Sequence, residues 1–140
     1  MKPVLSTDEV VRLEDIIEKE GTSKAELMEL AGEFVAQEVE RLKPRHVLIL
    51  TGFGNNGGDG WVAADVLSQK GISVDVVTPV EPDEIPAVLA RHVARRTAAR
   101  DVSLYVGPSR DELSALLEKA DVVVDAILGT GFHGSLRSPF

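Results

Sequence analysis

The 140-residue chain contains no cysteine. Disulfides, thiolate zinc sites and a cysteine nucleophile are excluded, and a reducing compartment is favoured. No apolar stretch approaches the roughly 20 residues needed to span a bilayer. The opening residues, MKPVLSTDEV, lack the apolar core of a secretory signal. These absences point to a cytoplasmic protein without a membrane partner. There is no internal repeat and no low-complexity segment. No G-x-S-x-G occurs, so nucleophile-elbow hydrolysis has no support. His46, His92 and His133 lack the spacing of a transition-metal site. Positive charge is in deficit, with a net charge of −8. Such a chain is a poor binder of nucleic acid through its overall field. A small phosphorylated ligand held by backbone donors is not excluded.

Hydrophobic residues make up 44% of the sequence, enough for a folded core. The length suits a single domain over residues 1–140. Ser6 with Glu9 and Ser23 with Glu26 fit capping boxes, each ahead of apolar residues at helical spacing. The first helix carries Val10, Leu13 and Ile17. The second carries Leu27, Leu30, Ala31, Phe34 and Leu42. HVLIL (46–50) reads as a buried strand, residues 59–70 as a helix ended by Gly71, and ISVDVVTP (72–79) as a second strand. Residues 87–100 read as a helix and DVSLYVG (101–107) as a strand. A helix capped by Ser109 and Glu112 follows, and DVVVDAIL (121–128) is the fourth strand. Strands alternating with helices predict parallel βαβ units. Ligands of such sheets bind beyond the carboxyl ends of the strands. Glycine-rich segments, 52–60 and 129–134, follow the first and fourth strands. Both strands are expected near the sheet centre, so that the two loops face one crevice.

The first loop, TGFGNNGGDGW, matches G-x-G-x-x-G at Gly52, Gly54 and Gly57. A dinucleotide fold also wants an acid at the tip of the second strand. Asp75 falls inside that strand, and Glu81 lies beyond it. A P-loop is contradicted more directly, because Gly58-Asp59 stands where Lys-Ser/Thr belongs. The residues still describe a ligand site. Glycines permit close backbone approach and positive φ. A helix starting near Asp59 would present N–H groups and partial positive charge to a phosphate. Asn55 and Asn56 add amide donors and acceptors. The plain alternative is a tight turn with a cap, and Asp125 has the same alternative at the end of its strand.

GFGNNGGDGWVAADVL (52–67), followed by VVVDAILGTGFHGSLRSPF (122–140), resembles the NAD(P)HX epimerase family, the YjeF N-terminal domain. LMELAG (27–32) and Gly21 fit the same pattern. The resemblance implies a three-layer αβα Rossmann-like fold with two N-terminal helices, usually dimeric. It implies interconversion of the R and S forms of hydrated NADH or NADPH, a cofactor repair completed by a dehydratase, fused or separate. By this resemblance Asn55, Asn56, Gly57, Gly58 and Asp59 line the substrate site. Gly129, Thr130, Gly131, Phe132, His133, Gly134 and Ser135 form its other wall. Asn56 and Asp125 match the positions that hold a potassium ion, K+.

Two departures stand out. Asp65 occupies a position where the family usually has arginine. The chain also stops at Phe140, before the family's next helix and a strand that carries its acid–base aspartate. The catalytic residue is therefore expected beyond Phe140, and a chain without that strand is expected to be less stable or to self-associate. The competing reading is a non-catalytic dimerisation or scaffold domain that keeps a nucleotide site. Direct nucleic-acid binding through Arg91, Arg95, Arg96 and Arg100 is a third reading. A solvated basic face explains those arginines more simply.

Overall fold

The computed structural model describes residues 23–127. The first expected helix and the second glycine-rich loop lie outside them. Helix α1 spans Lys24–Glu40. It starts where expected. The Glu26 amide donates to Ser23 Oγ at 3.2 Å, while the Ser23 hydroxyl donates to Glu26 Oε1 at 3.0 Å. Its buried face agrees with the expected one at Leu27 and Ala31 and differs from it elsewhere. Leu27, Met28, Ala31, Gly32, Val35, Ala36 and Val39 point inward. Leu30 and Leu42 remain 43% and 41% exposed, and Phe34 is half-buried. The closest approach to the next helix is at Gly32, where a Cβ would collide with Val62.

Strand β1 (His46–Thr51) leads into helix α2 (Asn55–Gln69), and strand β2 (Ser73–Thr78) follows. Gly71 ends α2 at φ +80, the left-handed cap that glycine adopts without strain. A short 3-10 turn at Pro82–Glu84, absent from the sequence reading, precedes helix α3 (Val88–Ala98). Strand β3 (Ser103–Val106), helix α4 (Arg110–Lys119) and strand β4 (Val122–Ala126) complete the described chain. The Ser109–Glu112 capping box at the start of α4 is present in both directions.

The sheet is parallel throughout, in the order β3-β2-β1-β4. β1 is interior, which explains its continuous run of apolar residues: Val47, Leu48 and Ile49 are all buried although they alternate between faces. Ile49 and Thr51 lie against Gly60 of α2. On the other face Asp75, which pairs in register with Leu48, meets Lys119 of α4 at 3.5 Å. Helices therefore cover both faces, giving the three-layer αβα arrangement. Trp61 of α2 is wholly buried, and Thr97 Oγ1 of α3 donates to its carbonyl at 3.0 Å.

At the amino end of the sheet Asp121 ties β4 to β1. Its Oδ2 accepts the Arg45 amide at 2.7 Å and the His46 amide at 3.1 Å. These backbone hydrogen bonds hold its carboxyl below the usual aspartate range. The folded pKa is depressed, so the stabilisation is present at neutral pH and is lost as pH falls through that lowered value. Asp121 is exposed, so solvent screening keeps the effect small. Asp121→Asn is expected to flatten the loss of unfolding free energy below about pH 4. Equal acid limbs for the two proteins in urea titrations would refute this assignment.

Candidate functional site

The carboxyl edge of the sheet is built by β1 and β4 side by side. Leu50 pairs with Asp125 and Thr51 with Ala126. The ladder continues one step further, with the Gly52 amide donating to the Ala126 carbonyl at 3.1 Å. A Cβ on Gly52 would run into the Ile127 carbonyl, so the two strand ends touch backbone to backbone. Thr51 Oγ1 donates to the Val77 carbonyl at 2.8 Å and fastens the same edge to β2.

Helix α2 begins at Asn55, four residues before the expected start at Asp59. Its first turns are thus made of NNGGDG, a sequence with poor intrinsic helix preference. The glycine spacing explains why it forms nonetheless. A Cβ on Gly57 would lie 2.7 Å from the Gly52 carbonyl oxygen. One on Gly58 would lie 2.6 Å from the end of Met28, and one on Gly60 would lie 2.9 Å from Ala126 Cβ. None of the glycines from Gly52 to Gly60 has positive φ. They serve close packing of the helix start on β1, β4 and α1, not the left-handed turn that was one expectation. Gly54 is different. It is the N-cap, and among the described residues nothing lies within 4 Å of a Cβ built on it.

The expected site residues fall as follows. Asn55 is exposed on the first turn, Asn56 and Asp59 are half-buried, and Gly57 and Gly58 are buried. Asp125 is half-buried at the end of β4, next to β1. Its Oδ1 accepts the Ile127 amide at 3.1 Å, so the turn-capping alternative is realised. Strand alternation places Asp125 on the face of Leu50, opposite the face where Ala126 meets α2. Asn56 and Asp125 therefore lie at the same edge of the sheet, on elements that do not share a face. Residues 129–135, the expected second wall, lie outside the described residues.

The remaining charged candidates turn inward. Asp75 sits in mid-strand against Lys119, away from the edge where a ribose would bind. Glu81 is spent in the capping box of the 3-10 turn. The arginines of α3 and its exit are not a bare basic face. Arg91 donates to the Ile85 carbonyl at 3.1 Å, and Arg95 pairs with Asp83. Arg96 meets Glu29 at 2.6 Å and Asp65 at 3.0 Å, and Arg100 meets Asp65 at 2.7 Å. Glu29, with Asp65, raises the Arg96 pKa above its ordinary value. Asp65, where the resemblance leads one to expect arginine, is thus the buried anion at which α1, α2 and α3 are joined.

A parallel sheet covered on both faces, with a glycine-rich helix start seated on its central carboxyl edge, defines a doubly wound α/β domain, and ligands of that class bind at this edge. Comparison with known proteins sharpens the class. The chain belongs to the family described as YjeF-related protein N-terminus, whose model matches residues 24–140. It is 41% identical over 122 residues to a bifunctional NAD(P)H-hydrate repair enzyme of Hyperthermus butylicus, covering 86% of this chain and 23% of that protein. It is 37% identical over 149 residues to an NAD(P)H-hydrate epimerase of Aspergillus fumigatus, covering 100% of this chain and 58% of that protein. The epimerase of Pirellula staleyi is 38% identical over 124 residues, covering 86% and 55%. The crystal structure of yeast YNL200c superposes with a TM-score of 0.71 at 29% identity, covering 98% of this chain and 61% of that one. The chain thus spans between 23% and 61% of the length of these relatives.

Proposed function

We propose that this chain is the substrate-binding part of an NAD(P)H-hydrate epimerase, acting on the R and S forms of hydrated NADH and NADPH. One observation carries the reading. The start of α2, with Asn55, Asn56 and Asp59, sits on the strand end that adjoins Asp125. A dinucleotide's pyrophosphate is matched there by the amide groups of the helix start. The Asn56 amide and the Asp125 carboxylate offer oxygen, which suits a hard cation such as potassium. When bound, that ion offsets the charge of Asp125 beside a polyphosphate. The names of the relatives support the same substrate. In this reading residues 129–135 close the other wall. In the same reading the protein works as a cytoplasmic homodimer beside, or fused to, a dehydratase; the bifunctional repair enzyme among the relatives supports the fused form alone.

Thermal unfolding tests the binding half. A ligand at 100 times its Kd stabilises the native state by about 2.7 kcal/mol. NADP in KCl is expected to raise Tm by several degrees, and by less in NaCl. No shift in either salt would sink the proposed site. Turnover is checked separately, by following epimerisation with this chain and with a version extended past Phe140.

A further inference from the structure

We infer that Met28 is a positioning residue for the substrate-binding turn, acting through Gly58. The inference rests on the site proposed above and concerns how that site is held. Met28 is 5% exposed on the inner face of α1. Its Sδ and its Cε each lie 2.6 Å from the place a Cβ on Gly58 would occupy. The Ala90 Cα of α3 lies 3.3 Å from the same point. Gly58 is therefore glycine because two other helices fill the space beside it, and a ligand has no approach from that side. One turn along α1, Gly32 meets Val62 and the Asp59 carbonyl, the latter 2.9 Å from a built Cβ.

The first turns of α2 thus rest on α1 at two points of different stiffness. Gly32 provides backbone against a β-branched side chain and a carbonyl, neither of which yields easily. Met28 provides a flexible, polarisable thioether that fills an irregular gap. The soft point lies nearer the helix start, at Gly58 in the turn carrying Asn55, Asn56 and Asp59. Gly57 and Gly60 seat α2 on the strand ends, whereas Gly58 faces Met28 and Ala90 of the two neighbouring helices. The size of the residue-28 side chain therefore sets how closely that turn is held between the strand ends and α1. Shortening it lets the turn shift toward α1, and a Cβ on Gly58 displaces the turn unless Met28 gives way.

The experiment compares Met28→Ala, Met28→Leu, Gly58→Ala and the double variant Met28→Ala/Gly58→Ala. Tm without ligand and Kd for NADP in KCl are measured on each. Trp61 is the only tryptophan, buried three residues beyond Gly58, so its emission reports the turn directly. Met28→Ala is expected to weaken NADP about tenfold and to shift Trp61 emission. Met28→Leu, which restores most of the volume, is expected to stay within about threefold of the original chain. Gly58→Ala is expected to weaken binding as well. The double variant is expected to bind more tightly than the product of the single losses, because each change relieves the other. A Met28→Ala protein with lowered Tm but unaltered Kd and emission overturns the inference, as does strict additivity in the double variant. Failure of the unaltered chain to bind NADP is a separate outcome, which removes the proposed site and the inference with it.

Discussion

Gly32→Ala is expected to destabilise the protein by about 2 kcal/mol, although alanine is the better helix former. Two effects oppose each other. In a helix interior alanine gains about 1 kcal/mol over glycine. Against that, the new Cβ enters the space of Val62 Cβ and Cγ1 and lies 2.9 Å from the Asp59 carbonyl oxygen. Overpacking of this kind costs about 1–3 kcal/mol. The upper end applies because neither obstacle is the far end of a flexible chain, and the difference is the net loss. For a domain of this size it corresponds to a fall in Tm of roughly 8 °C. Thermal unfolding of the variant checks it, and an unchanged or raised Tm would show that α1 and α2 are less closely seated than described. The same clash bears on function, since Asp59 belongs to the turn proposed to hold substrate.

That contact also shows what the sequence could and could not say. Apolar periodicity located α1 and placed Leu27 and Ala31 correctly, but it also favoured Leu30, Phe34 and Leu42 for the inner face. The actual face adds Met28, Gly32, Val35, Ala36 and Val39. Periodicity counts hydrophobicity, whereas close helix approach selects for small volume. Ser23, Gly71 and Ser109 were legible because each satisfies a local rule about helix ends. The strands were legible because interior parallel strands are apolar on both faces. The early start of α2 was not, because NNGGDG is a poor helix by propensity. Tertiary neighbours such as Ala126, Ile49 and Met28, together with the Gly52 carbonyl, make its glycines the right choice. The inward pairing of Asp65 with Arg96 and Arg100 was hidden for the same reason, since those partners lie more than thirty positions away. Among the site residues, the strand order supplied what spacing alone did not: β4 lies directly beside β1.

Asp125→Asn is expected to abolish potassium-dependent stabilisation by NADP while leaving the ligand-free Tm within about 1 °C of the original. Asparagine separates the two readings of this position. Its side-chain oxygen still accepts the Ile127 amide, the hydrogen bond that Asp125 Oδ1 makes at 3.1 Å. The turn after β4 is therefore kept, and what is lost is the negative charge beside the end of β1. If Asp125 only caps that turn, the variant behaves as the original in every assay. If its carboxylate holds a cation under a pyrophosphate, the attraction fails, and affinity for NADP becomes equally weak in KCl and NaCl. Removing one member of a desolvated, hydrogen-bonded charge pair typically costs 2–5 kcal/mol. A loss of binding of about 100-fold is thus the expected scale. Asp125→Ala removes the cap as well and is expected to lower Tm and binding together. Tight, potassium-sensitive binding by Asp125→Asn would assign the cation to other oxygens and leave Asp125 with its structural role alone.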